Sequence, residues 1–273
     1  MNGRIICWFS CGAASAVAAK LVLESNDHRI QGKEIILARN YVKEEHPDND
    51  RMQADCEKWL GQKIIHVTNE KYHGSVFEVQ DDVKFIKHRH GAPCTRLLKK
   101  EMRKAFQRHG DIHVFGLHKG EEDRIDHFLD DEPDVQVWLP LMEAGLTKQD
   151  CHELLSGAGI EQAAMYRLGY KNNNCIGCVK GGMGYWNKIR RDFPEEFDRM
   201  AKQERKFGHS INKTEKRVDG KRIGIPMFLD ELPPESGNYQ SEPSIKCGII
   251  CEGLTMNNQI EVQPTTSQQE ARE

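Results

Sequence analysis

The sequence predicts an α/β protein with a doubly wound parallel sheet, followed by a mostly helical, irregular C-terminal region. Short, continuously apolar runs alternate with helical stretches, and such runs are typical of strands buried on both faces. Strands are expected over residues 4–9, 34–39, 63–68, 112–116 and 135–139. Strands that alternate with helices pair in parallel, because each return to the same end of the sheet needs a crossover connection.

The elements divide the chain into three predicted parts. Helices are expected over residues 50–60 and 95–107, the second with Leu98, Met102 and Ala105 on one apolar face. We predict a nucleotide-binding α/β domain over 1–145, a helical region containing cysteines over 146–254, and a polar, disordered tail over 255–273. Within the second part, the Pro- and Gly-rich stretch 226–243 is expected to be an extended arm.

Composition restricts the class of protein. A chain of 273 residues with 38% hydrophobic and 30% charged residues can bury a core and is expected to fold as a globular protein. It contains no apolar run of membrane-spanning length and no signal-peptide layout, so we expect no membrane partner. Nine cysteines, an odd number, favour the reducing cytoplasm, where clustered thiols indicate metal binding or catalysis.

Charge is distributed unevenly along the chain. Residues 84–108 carry nine Lys or Arg and one acid, whereas residues 121–134 carry eight acids and one base. Each block is either a solvated face or, beside a nucleotide, a phosphate-binding surface. Arg96, Lys99, Lys100 and Arg103 are spaced to share one helical face. Residues 84–90 have no aromatic ladder, so nucleic acid is not the favoured partner.

The loop after the first strand is the first candidate binding site. Ser10, Cys11, Gly12 and Ser15 lie between the strand and a helix rich in small residues. Backbone N–H groups at such a helix N-terminus attract anions, and glycine permits close approach. Small residues also serve tight helix–strand packing, which is the competing interpretation. The position favours binding, because open α/β sheets hold ligands at the carboxyl ends of their strands.

This loop resembles the PP-loop of the adenine nucleotide alpha hydrolase superfamily. The pyrophosphatase and thiolation branches carry Ser-Gly-Gly-Lys-Asp-Ser, whereas this chain has Cys11, Ala13 and Ala14 in place of the first Gly, the Lys and the Asp. That departure favours the phosphoadenosine phosphosulfate (PAPS) reductase family, whose substrate is already activated. Further segments resemble this family in the same order, over about residues 4–180; they are residues 44–48, 116–124, 139–141 and 165–170.

The resemblance implies a Rossmann-like sheet of the HUP type that binds an adenine nucleotide, which is PAPS, adenylylsulfate or ATP. It places His118, Lys119 and Arg124 in the region matching the family's substrate-binding Arg segment. The residues expected at the nucleotide or its phosphates are Ser10, Cys11, Gly12, Ser15, Arg39, Arg96, Lys99, His118, Lys119 and Arg124.

The cysteines suggest a metal centre. Cys175 and Cys178 form a Cys-x-x-Cys pair, which suits a tetrahedral metal or an iron–sulfur cluster. Cys94 resembles the position where cluster-containing family members carry a ligand. These three cysteines are expected to hold a 4Fe–4S cluster, with Cys251 or Cys247 as a candidate fourth ligand. The alternatives are a zinc site built from the Cys175 pair with Cys247 and Cys251, or no metal.

Cys247 has a second candidate role. The segment Lys246-Cys247-Gly248 resembles the C-terminal motif whose cysteine attacks the sulfate sulfur in the reductases. The expected function is therefore a sulfonucleotide reductase that uses a thioredoxin-type reductant. Two alternatives stay open at this point. One is an ATP-dependent iron–sulfur sulfurtransferase that thiolates a nucleic acid, with its own sulfur donor, and the other is a non-catalytic nucleotide- or metal-binding module.

Overall fold

A five-stranded, all-parallel sheet forms the centre of the protein. The computed structural model describes residues 3–88, 91–218 and 221–247. The strands are β1 (Ile5–Trp8), β2 (Ile35–Asn40), β3 (Ile64–Val67), β4 (Ile112–Val114) and β5 (Gln136–Trp138), in the order β3-β2-β1-β4-β5. The predicted α/β class with a parallel sheet is confirmed.

The central strand explains why this part of the sequence reads as a continuous apolar run. All four residues of β1 are buried, and β1 pairs with β2 on one side and with β4 on the other. Ile5 and Cys7 point into one hydrophobic core, while Ile6 and Trp8 point into a second core on the opposite face. Because both faces of this strand are buried, apolar side chains are needed at every position, and the sequence does not alternate between apolar and polar residues.

Helices cover both faces of the sheet. The first core contains residues of α1, α2 and α8, and the second contains residues of α5 and α6. The helices are α1 (Ala13–Leu23), α2 (Asn49–Leu60), α3 (Val76–Val83), α4 (Pro93–Thr95), α5 (Glu101–Phe106), α6 (Glu122–Asp131), α7 (Pro140–Glu143), α8 (Lys148–Gly157), α9 (Ala164–Arg167), α10 (Met183–Asp192) and α11 (Pro194–Phe207). None of the helices in the described part of the chain is long and apolar enough to cross a membrane.

The basic helix differs from its predicted geometry. A π-helical stretch, Arg96–Lys100, separates α4 from α5 and changes the register of the side chains. As a result, Arg103 is fully buried and forms an ion pair with Glu132, whereas Ala105 is exposed. The prediction of one apolar face through Ala105 was wrong, and so was that of one shared cationic face, because a regular 3.6-residue period does not hold through this helix.

A third hydrophobic core lies beyond the sheet. It joins Phe77 and Ile86 to residues of α10, α11 and the segment that follows them. The first core extends as far as Ala163, so packing against the sheet continues past residue 145, where we predicted the domain boundary. The predicted tail and Cys251 lie outside the described residues.

The C-terminal region contains an antiparallel hairpin that the sequence analysis did not predict. Its strands are β6 (Asn212–Val218) and β7 (Lys221–Met227). After β7 the chain continues as an arm with one 3₁₀ turn, Leu229–Glu231, in broad agreement with the predicted extended stretch.

The strand order locates the crevice where a ligand is expected to bind. From β1 the chain continues outward to β2 and β3, and it then returns to the other side of β1 to form β4 and β5. At such a reversal, the loops after the two neighbouring strands diverge and leave a crevice at the carboxyl ends. Here the reversal falls between β1 and β4, so the crevice is expected at the carboxyl ends of these two strands.

His113 on β4 makes the stability of the fold depend on pH. Its Nδ1 accepts a hydrogen bond of 2.9 Å from Trp8 Nε1, which requires a neutral ring. Burial, assisted by Arg103 and opposed by Asp111 and Glu132, lowers the pKa of His113 from 6.5 to about 4. Protonation therefore favours the unfolded chain between these two pH values.

We expect the free energy of unfolding to fall by about 3 kcal/mol through this group as the pH drops from 6.5 to 4. His113→Asn keeps an acceptor for Trp8 but does not titrate. Urea unfolding at several pH values should therefore show a shallower acid dependence for the variant. Identical pH dependence in the two proteins would contradict the buried neutral ring.

Candidate functional site

The β1–α1 loop is held by hydrogen bonds among its own small residues. Ser15 Oγ accepts from Ser10 N at 3.0 Å and from Ser10 Oγ at 3.1 Å, and it donates to Gly12 O at 2.9 Å. Cys11 adopts a left-handed backbone with φ of 52°. Ser10 is exposed, whereas Cys11, Gly12 and Ser15 are buried. The tight turn directs the start of α1 toward the crevice.

The N-terminus of α1 has the chemistry of an anion site. Its N-cap is Gly12, which has no side chain to accept a hydrogen bond from the first turn. The helix dipole adds partial positive charge at this end. Tyr166 OH would lie 3.5 Å from a Cβ placed on Gly12, so this aromatic side chain borders the loop.

The loop after β4 packs directly against the loop after β1. A Cβ placed on Gly116 would lie 2.6 Å from Ser15 N, so only glycine allows the two backbones to come this close. Farther along, His118 Nε2 lies 3.1 Å from Glu121 Oε2, and Arg124 forms an ion pair with the same carboxylate. Lys119 is exposed. His118 and Lys119 therefore lie in the loop after β4 and Arg124 lies in the first turn of α6, with Glu121 joining His118 to Arg124.

Arg39, at the end of β2, is held inside the protein. Its side chain is 2% exposed, and its Nη2 donates to Glu45 Oε2 at 2.9 Å while Nη1 donates to Gln53 Oε1 at 2.9 Å. Arg39 also interacts electrostatically with Cys11. In this arrangement the guanidinium stabilises the base of the loop, and its Nη atoms are already hydrogen-bonded to protein groups.

Four cysteines that are distant in sequence line one cavity. Cys94 enters it from α4, Cys175 and Cys178 from the loop before α10, and Cys247 from the C-terminal arm. Apolar side chains form much of the remaining wall, and the charged groups in it are Glu44, Lys99 and Lys180; the apolar residues are Val42, Val76, Phe77, Ala92, Leu98, Ile176, Val179 and Met200. The structure thus brings together the three predicted ligands and the predicted nucleophile.

The four thiols differ in acidity. A hydrogen bond with Cys178, opposed by burial and assisted by Lys99 and Lys180, lowers the pKa of Cys247 well below its usual value. Burial raises the pKa of Cys94 to about 12 and raises that of Cys175 well above its usual value. When no metal is bound, Cys247 is therefore the thiol of these that loses its proton most readily.

Lys99 provides the cationic wall of this cavity. Burial opposes its charge, but Cys247 and Glu45 outweigh burial and raise the pKa of Lys99 above its usual value. The ammonium lies 3.7 Å from Glu45 Oε1. Lys99, expected at the nucleotide phosphates, is thus a neighbour of the cysteines, while Arg96 of the same helical segment is exposed and forms an ion pair with Glu101.

Three consecutive asparagines connect the cavity to the β1–α1 loop. Asn173 Nδ2 donates to Cys11 O at 2.8 Å and to Asn49 Oδ1 at 2.8 Å. On either side of it, Asn172 and Asn174 each donate to Ile245 O at 3.1 Å, two residues before Cys247. The cavity and the candidate anion site therefore share one hydrogen-bonded framework.

The sequence analysis missed the residues of this framework. The asparagines stand directly before the Cys-x-x-Cys pair, and that position was the available signal. Glu44 was noted only as part of the segment 44–48, but it is buried and accepts from Ser75 Oγ and Val76 N, both at 2.7 Å. Its backbone carbonyl also accepts from Ile176 N at 2.9 Å.

The cavity offers the type of donor atom that an iron–sulfur cluster takes. Iron–sulfur clusters take four thiolates, and this cavity offers four thiols, with the positive charges of Lys99 and Lys180 beside them. In the described part of the chain, no group of three or more His, Cys, Asp or Glu side chains is arranged to hold a metal ion.

The chain was also compared with known proteins. No protein-family model and no curated protein matches it.

Proposed function

We propose that this protein performs adenine-nucleotide-dependent sulfur chemistry, as a sulfonucleotide reductase-like enzyme with a 4Fe–4S cluster. The observation that carries the proposal is the meeting of Cys94, Cys175, Cys178 and Cys247 in one cavity that is hydrogen-bonded to the β1–α1 loop. Those four side chains would hold the cluster. When bound, such a cluster places a strongly charged, polarisable group beside the substrate's sulfur end.

The nucleotide would bind across the carboxyl ends of β1 and β4. Its phosphates would accept hydrogen bonds from N–H groups at the start of α1, which no side chain of the N-cap residue caps. Lys119, which is exposed in the neighbouring loop, would add positive charge. This placement follows from the switch in strand order and from the close contact between the two loops.

The reduction itself needs a nucleophilic thiol. A thiolate attacks the sulfur of the sulfonucleotide, an S–S bond forms, and the S–O bond to the nucleotide phosphate breaks, so that the nucleotide leaves. A thioredoxin-type dithiol then attacks the enzyme's sulfur, releases sulfite and is itself oxidised to a disulfide. Because Cys247 is engaged with Cys178 in the cavity, we assign it to the cluster. The attack is then assigned, from the sequence alone, to Cys251, the other cysteine of the C-terminal segment.

Two measurements test this function. Anaerobically purified protein should be brown, absorb near 400 nm and contain iron and sulfide, as cluster proteins do. With adenylylsulfate or PAPS and a thioredoxin-type reductant it should release sulfite, and Cys251→Ser should abolish that release without loss of iron. Colourless protein that contains zinc, or protein that binds no adenine nucleotide in calorimetry, would refute the proposal.

One observation favours a second activity, ATP-dependent thiolation of a nucleic acid. If Cys247 is not a cluster ligand, the remaining three cysteines leave one iron open for a sulfur atom, in the same cavity. The missing Lys and Asp of the loop, replaced by Ala13 and Ala14, oppose this activity. Pyrophosphate release from ATP that requires added RNA or DNA would distinguish it from sulfonucleotide reduction.

A further inference from the structure

The β6–β7 hairpin projects from the protein on a fixed base. Glu204, which is fully buried in α11, accepts hydrogen bonds from Ile211 N just before β6 and from Leu229 N just after β7. From Lys213 to Pro226, almost every described side chain is half-buried or exposed. A lone two-stranded hairpin is only marginally stable in water, so a hairpin held out in this way is suited to contact with a partner.

The surface of the hairpin is cationic and partly apolar. Lys213, Lys216, Arg217 and Lys221 are exposed, and none has a carboxylate of the described residues within salt-bridge distance. Ile223 and Ile225 are 47% and 41% exposed. Lys216 pairs directly with Ile223 across the ladder, so a cation and an isoleucine stand side by side on the same face.

The base of the hairpin is joined to a second segment of the chain. The carbonyl oxygen of Lys87 lies 2.8 Å from His209 Nε2, which ties this segment to the chain leading into β6. The base is therefore held both by Glu204 and by this contact.

We propose that this hairpin binds the backbone of double-stranded DNA. The cations would contact phosphates, and the isoleucines would lie against the sugars and groove walls. A two-stranded β-ribbon has the width to enter the major groove of B-form DNA, whereas the major groove of an RNA duplex is too narrow. The absence of aromatic side chains on the hairpin favours contact with the backbone over base stacking. Binding of this kind is independent of the cluster and of the sulfur chemistry.

Fluorescence anisotropy with a labelled DNA duplex and a labelled RNA duplex, over a series of salt concentrations, tests the proposal on the full chain. In the wild type, the logarithm of the affinity should fall linearly with the logarithm of salt concentration. Lys216→Ala, Arg217→Ala and Lys221→Ala together should weaken binding roughly tenfold or more and reduce the slope by about 2 to 3. Lys216→Arg with Lys221→Arg should preserve binding.

A control variant that loses the same number of positive charges distinguishes an effect of the hairpin's position from an effect of the protein's net charge. Lys58, Lys63 and Lys104 are exposed cations elsewhere on the surface, and their joint replacement by alanine should leave affinity and slope nearly unchanged. Ile223→Ser with Ile225→Ser should weaken binding without changing the slope. Absence of binding to the DNA duplex, equally tight binding to the RNA duplex, or equal losses in the hairpin and control triples would overturn the proposal.

Self-association is the competing use of the same surface. A wild-type dimer in sedimentation that is lost in the isoleucine variant, together with unchanged duplex binding, would assign the hairpin to a second copy and overturn the proposal. Because these assays measure only binding and mass, they remain informative even if the protein holds no cluster or reduces no sulfonucleotide.

Discussion

Replacing Cys247 with alanine should remove most of the cluster from the anaerobically purified protein. Cys247 lies in the cavity with Cys94, Cys175 and Cys178, and its thiol is hydrogen-bonded to that of Cys178. Losing one of four thiolate ligands exposes iron to exchange and loss. We expect bound iron to fall from about four per chain to a small fraction of that, with loss of the absorbance near 400 nm.

Cys151→Ala is the matched control for this experiment. Cys151 is also fully buried, but it lies on α8 in the core beside the sheet and not in the cavity. Its variant should keep iron and colour. If Cys247→Ala also keeps its iron but no longer releases sulfite, Cys247 is the nucleophile, as the resemblance of the motif implied, and the assignment to the cluster is wrong.

Replacing Gly116 with alanine should severely impair nucleotide binding. The new Cβ would lie 2.6 Å from Ser15 N and 2.7 Å from Ser15 Cα, so the backbone of the β1–α1 loop must move. Overpacking of this kind typically costs about 1–3 kcal/mol of stability. Because the displaced atoms belong to the anion site itself, we expect the affinity for an adenine nucleotide to fall by at least roughly tenfold.

Gly157→Ala provides a control for the change in residue type. Nothing lies within 4 Å of a Cβ placed on Gly157 at the end of α8, so alanine should be accommodated there without loss of stability. Thermal unfolding and calorimetry with the nucleotide should separate the two variants. Equal nucleotide affinity in both would show that the loops after β1 and β4 do not form the binding site.

The sequence predicted the sheet because its signal is local. The central strand β1 is a short, fully buried apolar run, and the small residues after it indicate a tight turn into a helix that packs closely. The turn, its glycine and its serines were recognisable as a possible anion site before any contact was known. The same kind of local pattern gave a wrong prediction at the basic helix. There a π-helical stretch changes the register, so that Arg103 is buried and Ala105 is exposed.

The hairpin shows why other elements were missed. β6 has the sequence Asn-Lys-Thr-Glu-Lys-Arg-Val, which has no apolar alternation because neither of its faces packs on a core. The ladder with β7 and the clamp by Glu204 define this element, and both depend on contacts between separate segments. Propensity within one segment contains no information about such contacts.

The sequence by itself determined the strand–helix alternation, the loop after β1 and the presence of candidate thiol ligands. Only the tertiary structure decided which of those ligands lie together: Cys247 lies beside Cys178, and Lys99 lies near the thiols. It also showed that Arg39 forms an ion pair with Glu45. The physical reason is that a site of this kind is assembled from side chains far apart in the chain. Their convergence depends on how helices and loops pack around the sheet, and residue spacing along the chain does not specify that packing.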